Sequence, residues 1–305
     1  MTHPRPARLR HARSQFASSL DRQTSSGRRA DPQRISLVAV LRLLDARAGS
    51  YAEVRPARSG LLRVCAYLPE TTGGTDISWL RVLLVADLLL RAGELRDLQV
   101  LTVLAFAGQD PAQAAACERA AGALGIHPPA ARASVREVRT VADGPIDVHL
   151  VSQDADPDDS RIGLVARVGS ARLRGTADHD GAVGGDVVAG PGRDPLAFRL
   201  ALMSLPYDQQ ADITEGMLAS ARETVAHWRH RVAVWAESPS RPIPPPIAGT
   251  FRAAFGDLDT MSVLALLHDL TCDAGLPAGA RFETFLYADR VLGLDLPRDI
   301  GRASG

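Results

Sequence analysis

The residues able to do chemistry in this 305-residue chain are few and widely spaced. Cys65, Cys117 and Cys272 form no CxxC pair and no Cys/His cluster, so their spacing spells neither a disulfide framework nor a tetrahedral metal site. Such a sparse, odd set fits a reducing cytoplasm, which is the expected location. Of the eight histidines, His227 and His230 share one helical stretch but lack acidic partners at metal spacing. The acidic run 154–160 (DADPDDS) and the Gly/Asp-rich stretch 175–192 lack the ligand ladder of a calcium loop, and both read as solvated loops. No GxSxG, HExxH or Walker sequence is present. All 35 basic residues are arginine. The absence of lysine, which a GC-biased composition explains, removes Schiff-base chemistry, amine catalysis and a P-loop lysine.

The elements that would position these groups follow from periodicity. The stretch 61–68 (LLRVCAYL) has the short, apolar character of a buried strand, and 98–106 (LQVLTVLAF) repeats it. Between them a Gly/Thr loop, 71–75, leads into a helical pattern over 77–93, with Gly93 placed to end it at the C′ position. Strand, loop, helix and strand in this order predict a right-handed βαβ crossover on a parallel sheet. The Ala-rich 110–126 reads as a helix, and 146–151 and 161–173 as strands. From Asp194 onward the period becomes 3.6, with helices expected over 195–204, 214–237, 246–255, 261–274 and 280–292. The proline-rich 239–246 is a stiff break among them. Asp259 or Thr260 should cap the helix that follows. Trp228 and Trp235, seven residues apart, mark a packed seam rather than a base-stacking platform.

The expected architecture is therefore α/β: a Rossmann-like parallel-sheet domain over 35–193, followed by an α-helical stem and bundle over 194–305. Residues 1–34 hold eight arginines and few large apolar residues, and read as a disordered basic arm. Over the whole chain charge is balanced, 35 basic against 35 acidic, which disfavours a general nucleic-acid coat. The arm leaves tRNA a possible partner. The most apolar stretch, 80–90, is interrupted by Arg81 and Asp87 and is too short to span a bilayer, so no membrane partner is expected.

Several pieces carry a collinear resemblance over roughly 35–295. They are LRLLDARAGSYAEVRPARSGLLRVCAYLPE at the start, and DPLAFRLALMSLPYDQQADITEGMLASARETVAHWR, FGDLDTMSVLALLHDL and ADRVLGLDL in the C-terminal third. In this order and wording the chain resembles the cysteine-activating branch of the class I aminoacyl-tRNA synthetases, which includes cysteinyl-tRNA synthetase and the mycothiol cysteine ligase. The resemblance implies a trimmed HUP-type core. It sets Cys65 on the family's first zinc-binding cysteine, and ATP, zinc, an amino acid and tRNA become the ligands to consider.

The catalytic signatures of that family are missing. Asp76-Ile77-Ser78-Trp79 falls on the HIGH motif, whose histidines donate to the developing phosphate charge; a carboxylate stands in place of one of them. The stretch 175–185 (GTADHDGAVGG) falls on KMSKS, with Asp178, His179 and Asp180 where lysines would clamp the triphosphate. Each lost donor should cost about 3 kcal/mol or more of transition-state stabilisation. The zinc set retains Cys65 alone, so zinc is not expected. Cys65 is then either a small buried hydrophobe or a thiol left in an amino-acid pocket.

Ligands of such sheets sit at the carboxyl ends of the strands. The expected cleft is lined by Cys65, Tyr67, Thr75, Asp76, Trp79 and Arg81, with His149 on the opposite wall. The expected function is a synthetase-like binding or regulatory protein without adenylate-forming activity and with no cofactor assigned, ATP entering only with the ligase alternative. The alternatives are an ATP-dependent cysteine or amino-acid ligase with a rebuilt site, in which Arg63, Arg81, Arg172 or Arg174 grips phosphate, and a tRNA-binding accessory.

Overall fold

The structure, a computed structural model, describes residues 40–68, 77–106, 111–153, 162–174, 188 and 194–302. The basic arm, the loop bearing Thr75 and Asp76, the acidic run and the 175–185 stretch lie outside the described residues. Two short antiparallel strands come first, β1 (Arg42–Asp45) and β2 (Ser50–Glu53), turning through Gly49 at φ 63°. Then follow β3 (Leu61–Leu68), α1 (Ile77–Glu94), β4 (Gln99–Phe106), α2 (Pro111–Ala123), β5 (Ala131–Ser134), the single turn α3 (Val138–Val141), β6 (Val148–Ser152) and β7 (Leu164–Val168). Strands β3 to β7 build one parallel sheet in the order β5-β4-β3-β6-β7. The order reverses between β3 and β6, so their carboxyl ends form the switch point where doubly wound sheets bind ligands.

The strand expected over 161–173 is in fact two, β7 and β8 (Ala171–Arg174), divided at Gly169-Ser170. Strand β8 leaves the main sheet and pairs with β9 (Ala211–Thr214). Gly169 is required at the break, because a Cβ there would collide with the backbone carbonyl of Gln209. Gly93 also departs from expectation. It does not end α1 in a left-handed conformation: the helix runs through it to Glu94, and the positive φ falls on Asp97 (58°). Gly93 instead admits close packing of α1 on β4, since a Cβ would lie 2.7 Å from Val100 Cγ2.

The helices after Asp194 are α4 (Pro195–Met203), α5 (Glu215–Trp235), α6 (Pro245–Gly256), α7 (Thr260–Cys272) and α8 (Ala278–Leu292). Their starts are chemically marked. The side chains of Asp194, Thr214 and Asp259 accept from Leu196 N, Met217 N and Ser262 N, respectively, each satisfying an orphan helix amide. Helix α8 ends on Gly293 in the left-handed conformation. Trp228 and Trp235 are both buried and meet Phe285 edge-on, with centroids 5.9 and 5.0 Å away, which makes them the packed seam expected. One continuous apolar core joins the sheet, α1 and the C-terminal helices, through residues such as Leu84, Phe198, Val225, Phe251 and Phe285.

A buried ionic junction fixes α1 against the helical part. The Asp87 carboxylate, fully buried, accepts from Arg199 Nη2 at 2.6 Å, Arg91 Nε at 2.8 Å, and the backbone N and Nδ1 of His127 at 3.0 and 2.7 Å. Burial alone would push this carboxyl up, but His127, Arg199 and Arg91 outweigh it and hold it well below the usual carboxylate range. Arg199 also donates to the carbonyls of Leu292 and Leu124, and Arg91 to that of Gly125. Charges placed so deep persist because nearly every donor has an acceptor.

Candidate functional site

The pleat sorts the switch-point residues by face. On β3, Leu62, Val64, Ala66 and Leu68 enter the main core beneath α1, while Arg63, Cys65 and Tyr67 face the opposite side. On β6, Val148 and Leu150 join the core, which leaves His149 and Val151 on that same opposite side. Parallel pairing sets Cys65 directly beside His149. Three residues of the expected cleft, from segments 80 residues apart in the chain, are thus brought together.

Tyr67 Oη lies 2.9 Å from His149 Nδ1, and the two rings stack with centroids 5.7 Å apart. His149 Nε2 is 2.9 Å from the Ile162 carbonyl oxygen, which can only accept. A ring with one proton would carry it on Nε2, and the Tyr67 hydroxyl would then donate to Nδ1. His149 is buried and Tyr67 half-buried, so the pair presents an oriented phenol–imidazole edge at the end of the central strands. Cys65 is fully buried against Val103, Ala105 and Ala133 in a small second cluster.

The other expected residues go elsewhere. Thr75 and Asp76 lie outside the described residues. Trp79 is fully buried in the main core, so it does not line a cleft among the described residues; its indole Nε1 has no hydrogen-bond partner there. Ser78, at the start of α1, accepts from Ala171 N at 3.0 Å and donates to Ala171 O at 3.3 Å, stitching the helix to β8. Arg81 is the clearest departure. Its guanidinium is buried and donates to the carbonyls of Gly169, Ser170, Gln209 and Pro206, binding the β7–β8 break to the turn before β9. Burial lowers its pKa to about 10, offset only in part by Asp208.

The remaining arginines proposed for phosphate are also placed. Arg63 is buried and donates to the carbonyls of Ala142 and Asp143 at 2.9 and 2.8 Å. Arg174 pairs with Asp212 at 2.8 Å, and Arg172 is exposed on β8. Sequence reasoning missed Arg167, which shares the Tyr67–His149 face of the sheet. The available signal was its alternation with Val165 on β7, which puts an arginine where a buried apolar residue is usual.

A separate cavity of about 570 Å³ opens among α4, α5 and α7, lined by Leu200, Ser204, Met217, Thr224, Trp228 and His268. Its Ser204 and Thr224 hydroxyls donate to carbonyls of their own helices, so no convergent polar set points into it from them. Among the described residues, no group of three or more His, Cys, Asp or Glu side chains could hold a metal ion. No described helix is long and apolar enough to cross a membrane.

No family model matches the chain, and no curated protein matches it. Among solved structures, it is similar to a putative arginyl-tRNA synthetase from Campylobacter jejuni, at 10% sequence identity and a TM-score of 0.48; the match covers 79% of this chain and 91% of that one.

Proposed function

We propose that this protein is a synthetase-like scaffold of the cysteine-activating type that binds a small amino-acid-like ligand at the β3–β6 switch point without activating it. It then serves as a binding or regulatory protein, not as an adenylate-forming ligase. The observation that supports this most is the commitment of its arginines. Adenylate formation needs several cations around a triphosphate, and in a chain without lysine arginine alone could supply them. Of the four arginines nearest that role, Arg63 and Arg81 are buried and bonded to backbone carbonyls, and Arg174 is paired with Asp212. Withdrawing Arg81 would take a donor from four carbonyls, of which Ser170 and Pro206 keep a backbone amide, so these groups are not in reserve for a substrate.

What remains at the strand ends is suited to recognition. A histidine fixed by a backbone carbonyl and a tyrosine aimed at it form a directional hydrogen-bonding pair. The test is a thermal-shift panel of ATP, cysteine and a non-hydrolysable cysteinyl-adenylate mimic. The proposal expects cysteine or a related small amino acid to raise the melting temperature, and ATP to leave it unchanged. A shift with ATP alone, or a far larger shift with the adenylate mimic, would favour the ligase alternative.

A further inference from the structure

Among the described residues, four buried side-chain atoms lack a hydrogen-bond partner: Trp79 Nε1, Thr102 Oγ1, Asp212 Oδ1 and Arg167 Nε. The first two are neutral and lie on the core side of the sheet. Asp212 is held by Arg174 through its other oxygen. Arg167 differs from all three. It is an ionised group with no hydrogen bond or ion pair to any described residue. Other arginines of the α/β part, Arg63, Arg81, Arg91 and Arg96, donate to carbonyls or a carboxylate. Its Nε is buried and unsatisfied while the residue as a whole keeps partial exposure, and a buried donor without an acceptor is costly.

The register says where that acceptor would sit. Leu164, Ala166 and Val168 point into the main core, so Arg167 projects from the other face, the face of Cys65, Tyr67 and His149. Ala66 pairs with Leu150, so Tyr67 and Val151 share the next row, and Val151 pairs with Arg167. Tyr67 and Arg167 therefore flank β6 in one row near the carboxyl ends of the strands, two strand spacings or about 10 Å apart. Arg167 keeps partial exposure, so its guanidinium can be reached.

We propose that Arg167 is the anion seat of the switch-point site: it takes the carboxylate or single phosphate of a small ligand whose polar remainder meets the Tyr67–His149 pair. This rests on the binding function proposed above and adds the ligand's chemical class. One guanidinium offers a planar fork that matches one carboxylate or one phosphate; it does not clamp a triphosphate.

The experiment is isothermal titration of the full chain with inorganic phosphate, with L-cysteine, and with cysteamine, which is cysteine without its carboxylate. Phosphate binding would identify a phosphorylated ligand; cysteine binding without cysteamine binding would identify a carboxylate. In either case Arg167→Gln should weaken the anionic probe by roughly tenfold or more, Arg167→Lys should recover part of the loss, and Arg174→Gln should change nothing. Melting curves without probe establish that each variant is folded. The assignment is overturned if neither anion binds, or if Arg167→Gln and Arg167→Lys both bind as the parent does. Cysteine-dependent pyrophosphate exchange by the unmodified chain would overturn the non-catalytic function alone and leave the anion seat standing.

Discussion

The buried guanidinium groups around the five-stranded sheet and that of Arg167 are treated in opposite ways. Beneath α1, the Asp87 junction and the Arg81 cage bury ions whose donors nearly all end on acceptors of the protein itself. On the other face, Arg63 is likewise bonded to the Ala142 and Asp143 carbonyls, whereas Arg167 Nε has no acceptor among the described residues, with the Tyr67–His149 pair across β6 from it. Arg63 and Arg167 share that face of the sheet, so the side of the pleat does not explain the contrast. The difference teaches that burying an arginine is not by itself a sign of function: what separates a structural from a recognising guanidinium is whether its acceptor comes from the chain.

That contrast breaks most visibly at Asp87. Asp87→Ala should cost about 3–5 kcal/mol in urea unfolding, because it strands the buried Arg199 charge. The same junction predicts a pH dependence. The Asp87 carboxyl sits lower in the folded than in the unfolded state, so the folded state favours its ionised form. Its contribution is present above the unfolded value near ~3.9 and is lost as pH falls below that toward the folded value. Unfolding midpoints measured from neutral to acid pH should therefore fall less steeply in Asp87→Asn than in the parent. Equal slopes would mean that the junction is not ionised as described.

Phe285→Ala, at the seam of Trp228 and Trp235, should cost about 3–5 kcal/mol by cavity formation and leave ligand binding at the β3–β6 switch point intact in whatever fraction remains folded. Gly169→Ala should cost about 1–3 kcal/mol, since the added methyl meets the immovable Gln209 backbone. Thr214→Ala removes the cap of α5 and should cost about 1 kcal/mol. Tyr67→Phe sharpens the comparison from the other side. It should change stability by only about 1 kcal/mol, yet weaken ligand binding measurably by titration. A large stability loss in Tyr67→Phe would make the pair structural.

Much of the framework was legible in the chain, because its signals are local. The run LLRVCAYL coincides with β3, and the helix over 77–93 is one residue short of α1. Strand β5 (ARAS) was not legible: one buried residue in four leaves no apolar pattern, and only pairing with β4 makes it a strand. The β7–β8 break was hidden as well, since the backbone that forbids a side chain at Gly169 comes from Gln209, 40 residues away. The site was half readable. Cys65, Tyr67 and His149 could be nominated from strand order, whereas the fate of Arg81 could not, because its acceptors are main-chain carbonyls, which every sequence possesses. Arg167 was missed for the converse reason: an unmet donor shows itself only once all neighbours are in place.

The central claim is that this scaffold recognises a small ligand without joining it to AMP. Amino-acid-dependent exchange of labelled pyrophosphate into ATP tests it most directly. The account predicts no exchange above the enzyme-free blank with cysteine or with any other amino acid. Exchange that depends on both protein and a single amino acid would contradict it.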